Sequence, residues 1–242
     1  MIWLILSFVT ILSLGYIFLI YRKPSIFIKK KSTVLFVIAH PDDECMFFAP
    51  TILSILRRNF EVYVLCLSSG GYQFESNVRK QELRKSCQTL GIPGGNLTII
   101  EHSQLPDNPK RKWNQIKVGK IILKYSFKLS ANVIISFDEG GVSGHSNHIA
   151  ICEGLKYLNA ESLIPIDCDV YLLKSVSILQ KYFAFLFALL NYLQDEFCVI
   201  SSYQDVKITW KCMKIHCSQY VWFRRLYITF SRYVYINTFK KL

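Results

Sequence analysis

Charge is scarce in this 242-residue chain: Asp, Glu, Lys and Arg make up 19 % of it, against 51 % hydrophobic residues. That balance excludes a disordered acidic or basic tail protein and allows a core of ordinary size. Acid is scarcer than base, 17 residues against 29, for a formal net charge of +12. Such an excess suits nucleic acid or an anionic membrane surface. No nucleic-acid motif occurs among the basic residues, so the membrane is the expected partner and nucleic acid is not. Internal repeats and low-complexity segments are absent, and one domain is the starting reading. The eight cysteines have no regular spacing, which speaks against a disulfide framework and for buried thiols in a reducing compartment. His216 stands beside Cys212 and Cys217, but a fourth zinc ligand is missing.

Residues 1–21, MIWLILSFVTILSLGYIFLIY, lack any charged side chain. As a helix that length spans a hydrocarbon core, with Trp3 and Tyr21 near its ends where amphipathic rings favour the interface. No basic region precedes the stretch and no small-x-small site closes it, so an uncleaved anchor is expected rather than a signal peptide. Arg22, Lys23, Lys29, Lys30 and Lys31 follow in a basic linker, residues 22–32. By the positive-inside rule they place the remaining domain, 33–242, in the cytosol. The Asn96-Leu97-Thr98 sequon is then expected to stay bare.

Thr33 to Ala39 (TVLFVIA), Glu61 to Leu67 and Asn132 to Phe137 are apolar, β-branched runs, as in strands buried on both faces. Leu97 to Ile100 and Val170 to Leu173 are shorter strand candidates. Helices are predicted over Phe47–Arg58, Ser76–Leu90 (stopped by Gly91), Asn114–Leu129 and Asn147–Tyr157. The alternation implies an α/β, Rossmann-like fold: a mainly parallel sheet with helices on both faces, preceded by one N-terminal transmembrane helix. Past Pro165 the pattern weakens. Lys181 to Leu193 is too short to span a bilayer and reads as a core or interfacial helix. Trp222 to Tyr233 interleaves aromatics with Arg224, Arg225 and Arg232, as in a headgroup-layer segment or a terminal element with snorkelling arginines.

Two segments carry chemistry. His40-Pro41-Asp42-Asp43-Glu44 follows the first buried strand, and Asp138-Glu139-Gly140-Gly141-Val142-Ser143-Gly144-His145-Ser146-Asn147-His148 follows a later one. Open α/β sheets bind ligands beyond the carboxyl ends of their strands, so both are expected at one crevice. Two histidines and a carboxylate make an open divalent-metal site. A second carboxylate can take a proton from water at the metal, whose pKa falls to about 7. A further imidazole can serve the other side of the reaction centre. These parts hydrolyse an unactivated amide. Taken singly, an HPDDE could merely start a helix, and a His-x-x-His pair arises by chance.

AHPDDE together with GVSGHSNH resembles the LmbE-like deacetylase superfamily. The fuller match is to its eukaryotic branch, the PIG-L family of N-acetylglucosaminylphosphatidylinositol de-N-acetylases. It runs through VIAHPDDECMFFAPT, RKQELRKSCQTLGIP, FDEGGVSGHSNHIA and WFRRLYITFSRY, and no motif residue departs from the family pattern. The resemblance implies His40, Asp43 and His148 as metal ligands, with zinc the first candidate ion. It implies Asp42 as general base, and His145 as oxyanion stabiliser or acid toward the leaving amine. Arg79 matches an arginine that holds substrate in related deacetylases; its alternative is a solvated helix residue. Asp107 and Asp138 are candidates for sugar hydroxyls, against plain turn chemistry. Glu44 fits a supporting or capping group better than a ligand.

The implied reaction removes acetate from N-acetylglucosaminyl-phosphatidylinositol, the second step of GPI-anchor synthesis. The implied place is the cytosolic face of the endoplasmic reticulum membrane, with a glycophospholipid substrate and no obligate protein partner. The rivals are a deacetylase of another N-acetylglucosaminyl conjugate and a non-catalytic membrane scaffold.

Overall fold

In a computed structural model, the structure describes Thr10, Ile28 and residues 32–72, 75–108, 111–182 and 197–242. The expected anchor and linker, and most of the Lys181–Leu193 stretch, lie outside the described residues. No helix among the described residues is long and apolar enough to cross a membrane.

Seven strands form one sheet: β1 (Thr33–Ile38), β2 (Glu61–Cys66), β3 (Leu97–Ile99), β4 (Val133–Phe137), β5 (Asp169–Leu173), β6 (Phe197–Ile200) and β7 (Ile236–Lys241). Their spatial order is β3-β2-β1-β4-β5-β7-β6. The first five pair in parallel, while β7 runs antiparallel to both β5 and β6. The predicted mainly parallel sheet is therefore present, with an antiparallel return that the weak pattern past Pro165 concealed. β1 and β4 are buried almost end to end, as their continuous apolar runs require.

The main helices among the described residues are α1 (Ala49–Leu56), entered through a π-helical turn over Glu44–Phe48, then α2 (Ser76–Leu90), α3 (Gln115–Lys128), α4 (Ser146–Ala160), α5 (Ile178–Tyr182), α6 (Tyr203–Ile215), α7 (Trp222–Phe230) and α8 (Arg232–Tyr235). Asn114 caps α3 by accepting from the Lys117 N–H, and Gly91 ends α2 with φ of 94°, a conformation glycine adopts without a Cβ penalty. Right-handed crossovers settle the layers. From β1 the chain steps outward to β2 and β3, then returns past β1 to β4 and β5. α1 and α2 therefore cover one face, and α3 and α4 the other.

The reversal happens between β1 and β4, whose strands pair directly. Loops leaving adjacent strands toward opposite faces open a crevice there. The two motif segments are the loops after β1 and β4.

All eight cysteines are free thiols; seven are buried and Cys217 is exposed, as expected from their irregular spacing. The structure gives the Trp222 to Tyr233 stretch a definite form. The segment is two helices, α7 and α8, and only one of its arginines is exposed. Arg232 is buried and donates to Thr238 at 3.0 Å, and Arg224 turns inward, because both guanidiniums find acceptors inside the fold.

Candidate active site

The loop after β1 is locked by Asp43. Its Oδ2 accepts from the backbone N–H groups of Ala39 and His40, each at 2.9 Å. Asp43 thus ties down the strand end rather than capping the following helix. Its Oδ1 is left facing His148 Nε2 at 3.2 Å. Burial alone would raise the Asp43 carboxyl, but the His148 and His40 rings and the His40 amide outweigh it and hold it well below the usual carboxylate range. The loop after β4 brings His145 to the N-cap of α4, where its Nδ1 accepts from the Asn147 N–H, and His148 one turn on. His148 stacks on Phe137, ring centres 3.9 Å apart, and its Nδ1 lies 3.2 Å from the Gly141 carbonyl. When Nδ1 carries the ring's proton toward that carbonyl, the Nε2 lone pair faces Asp43.

Nitrogens of His40, His145 and His148 can all lie within 4.8 Å of one another. His40 Nδ1 is 3.9 Å from Asp43 Oδ2. His148 Nε2 is buried and makes no hydrogen bond among the described residues. An orphaned buried imidazole nitrogen beside a second imidazole and an ionised carboxylate fits a divalent cation. Burial, with the neighbouring imidazoles, lowers His40 well below its ordinary value. The same causes bring His145 down to about 4. Both rings are therefore neutral at pH 7, the form that binds metal.

Asp42 stands beside this cluster, buried, with φ of 115°. A non-glycine residue at positive φ is strained, and such strain collects at functional sites. Its N–H donates to Glu44 Oε2 at 3.1 Å. Arg224 lies 3.1 Å from one carboxylate oxygen and Arg79 3.8 Å from the other. Burial raises the Asp42 pKa, opposed by the two arginines.

Arg79 is neither solvated nor free to reach out. One terminal nitrogen donates to the Gly70 carbonyl at 2.7 Å and to Asp107 at 3.0 Å. The other donates to the Pro41 carbonyl at 2.6 Å and to Gln219 at 3.0 Å. It lines the pocket as the brace joining the loops after β1 and β2. Glycine suits position 70, since its φ is 75° and a Cβ there would collide with the guanidinium. Asp107 touches His40 Nε2 at 3.2 Å as well as Arg79, so it holds the ligand loop and faces the cavity. Asp138 departs from the expectation: it does not line the cavity. Both its oxygens accept from Ser175, and one also from the Gly140 N–H. This side chain staples the loop after β4 to the loop after β5.

The cavity enclosed by these groups measures about 560 Å³. Its far wall comes from the C-terminal region, where the sequence pointed to no site residue: Gln219, Phe223, Arg224 and Tyr227, joined by Lys181. Nothing local to a Trp-Phe-Arg-Arg stretch says that one arginine will reach a carboxylate after β1.

Glu44 is a buried support, not a cap. His216 Nε2 lies 2.7 Å from its Oε1, with both residues fully buried, and Ser86 donates to the same oxygen. His216 thus turns to Glu44 and away from exposed Cys217. Burial alone would lower His216 and raise Glu44; their mutual attraction reverses both shifts. Removing one partner strands the other charge in the interior. His216→Ala is expected to cost about 3–5 kcal/mol. Thermal denaturation should record a drop of roughly 6–20 °C in midpoint.

Comparison with known proteins agrees with this geometry. The family model for GlcNAc-PI de-N-acetylase (PIG-L) matches residues 35–157. The chain is 42 % identical over 209 residues to the Bos taurus N-acetylglucosaminyl-phosphatidylinositol de-N-acetylase, spanning 86 % of this chain and 82 % of that protein. A Dictyostelium discoideum protein ascribed the same activity is 37 % identical over 244 residues, covering 88 % of this chain and 94 % of its own. Among solved structures, the N,N'-diacetylchitobiose deacetylase of Pyrococcus horikoshii superposes with a TM-score of 0.65 at 15 % identity, covering 88 % of this chain and 84 % of that one. At that identity the likeness concerns the fold.

Proposed function

The chain belongs to the PIG-L family of GlcNAc-PI de-N-acetylases, and on that premise we propose that its cavity removes the acetyl group from N-acetylglucosaminyl-phosphatidylinositol. The observation that carries the proposal is the meeting of His40, Asp43 and His148 in one cavity with Asp42 beside them. A scaffold would have no use for a strained, buried carboxylate next to an orphaned imidazole.

His40, Asp43 and His148 would hold the divalent ion, zinc being the first candidate by donor type. When bound, the ion supplies Lewis acidity, acidifying water and polarising the acetyl carbonyl. The protein's own groups carry the rest. Asp42 accepts the proton of the attacking water as oxygen adds to the acetyl carbon. Burial suits it to this task by raising its affinity for the proton, while Arg224 and Arg79 favour its ionised form against that shift. His145, neutral and partly exposed to the cavity, hydrogen-bonds the oxyanion of the tetrahedral intermediate. As the C–N bond breaks, the proton that Asp42 took from the water passes to the nitrogen, and acetate and the glucosaminyl amine depart with Asp42 returned to its starting form. Arg79 and Asp107 keep the ligand loop and the cavity wall in register, and in doing so shape the sugar subsite.

The same reading places residues 1–21 as an anchor in the endoplasmic reticulum membrane with the domain on the cytosolic side. The uncharged stretch followed by five basic residues supports it. Such a tether keeps the cavity where a lipid-linked sugar is met.

The deciding assay offers the purified chain N-acetylglucosaminyl-phosphatidylinositol and, separately, free N-acetylglucosamine. Acetate release from the lipid-linked sugar alone, lost on chelation and restored by added zinc or another divalent ion, is the expected result. Equal turnover of the free sugar would transfer the assignment to another N-acetylglucosaminyl conjugate. Chelator-insensitive turnover would remove the metal.

A further inference from the structure

α7 buries one side and leaves the other bare. Tyr227 and Ile228 pack inward, whereas Trp222 (72 % exposed), Leu226 (51 %) and Phe230 (54 %) face out. They fall at i, i+4 and i+8, one stripe of the helix. α5 stands alongside: Lys181 Nζ is 5.2 Å from the centre of the Tyr227 ring. It exposes Ile178 (76 %), Leu179 and Tyr182. With Val221 and Phe223, these two neighbouring elements hold eight of the fifteen exposed large apolar side chains among the described residues. Soluble surfaces seldom gather apolar groups in this way without a partner.

The bare face adjoins the cavity. Val221, Phe223, Arg224 and Tyr227 form part of its wall, and Lys181 another part. The stretch that carries α7 is basic: residues 206–242 contain eight Lys and Arg and no Asp or Glu, although Arg224 pairs with Asp42, Lys240 with Glu139 and Lys241 with Asp169. Arg225 stays exposed on α7, packed over the Tyr220 ring at 5.1 Å.

We infer that α5 and α7 form a lipid-docking rim: their apolar side chains enter an anionic bilayer surface and turn the cavity mouth toward the headgroup layer. An amphipathic helix with aromatic and aliphatic residues on one face and arginine beside them lies in such an interface. Anionic headgroups attract the surrounding basic residues. A second copy of the chain is the poorer occupant, because two copies of a chain of net charge +12, each with Arg225 exposed on this helix, repel one another. The inference deepens the proposed function, resting on it only for what the headgroup layer would present to the cavity. A tether at the N-terminus holds the domain near the membrane but does not orient it, and the rim supplies the orientation.

The test uses the full chain in vesicles of phosphatidylcholine with phosphatidylinositol, where the phosphatidylcholine acyl chains carry bromine. Trp3→Phe serves as background, so that tryptophan in the apolar N-terminal segment does not contribute. Bromolipid should quench a component of the emission that disappears in Trp222→Phe and that aqueous iodide fails to reach. Emission from Trp222 that bromolipid leaves unchanged overturns the inference. If iodide is also excluded, the cover is another part of the chain or a second copy, and lipid docking is equally refuted. A second measurement reads the consequence. The triple variant Trp222→Ser, Leu226→Ser, Phe230→Ser alters exposed positions outside the cavity wall. Its kcat/KM on vesicle-borne substrate should fall on the order of tenfold, with turnover of the same headgroup lacking acyl chains unchanged. Loss on both substrates would overturn the inference. Quenching of Trp222 without turnover of either substrate by the parent chain would leave docking standing and defeat the deacetylase reading.

Discussion

His148→Ala is expected to bring metal content to background and to lower kcat/KM by at least ~10³-fold, as activation of water and polarisation of the carbonyl are lost together. The expectation follows from one nitrogen. His148 Nε2 is buried and without a hydrogen bond among the described residues. It lies 3.2 Å from an oxygen of the ionised Asp43 carboxylate. The ring also packs against Phe137 and Phe47, so alanine leaves a void and some loss of stability is expected with it. His148→Phe separates the two effects. It keeps an aromatic ring against Phe137 but offers no lone pair, and it should be as inactive and metal-free as the alanine variant. Wild-type metal content in His148→Phe, measured by elemental analysis after dialysis, would show that the ion is held elsewhere or not at all.

Asp42→Asn should separate chemistry from metal binding. The change keeps the size of the side chain, and Asn, like Asp, is among the non-glycine residues most tolerant of positive φ, which matters at 115°. Metal content should remain at the wild-type level, because the three ligands are untouched. kcat should fall about 10²–10⁴-fold, the usual worth of a general base, with KM little changed, since the lost interaction forms only as the proton moves. Arg224 and Arg79 would then face an amide in place of a carboxylate, so a modest loss of stability is expected. A metal-replete Asp42→Asn protein with undiminished kcat would assign proton transfer to a different group.

These two variants address residues that were legible from the sequence, and the reason is local. Thr33 to Ala39 and Asn132 to Phe137 are uninterrupted β-branched and apolar runs, a pattern that strands in a covered parallel sheet must show. Once they are strands, the polar residues directly after them lie at the carboxyl edge of the sheet. His40, Asp42, Asp43, His145 and His148 could therefore be placed together before any contact was seen. Asp138 shows where that reasoning stops. It also sits at a strand end, yet its carboxylate engages Ser175 and Gly140 and does not reach the cavity. Being at the correct edge does not settle which way a side chain turns.

The C-terminal region was opaque for a different reason. β7 inserts antiparallel between β5 and β6, a pairing that no pattern within six residues can announce, because its partners lie far away in the chain. The helices around it are short, and their mixture of aromatics and arginines fits a membrane surface, a core edge or a cavity wall equally well.

The order of strands and helices, the two loops that carry chemistry and the kinds of donor they offer belonged to the sequence alone, since each follows from hydrophobic period and residue type over a short span. Long-range packing decided the rest. It set Arg224 against Asp42, turned Arg79 inward as a brace, buried His216 against Glu44 and left one side of α7 bare. Those outcomes depend on which surfaces meet once the sheet has closed. The free energy of such meetings comes from burial and charge pairing between segments up to about 180 residues apart, and it leaves no mark on the local pattern.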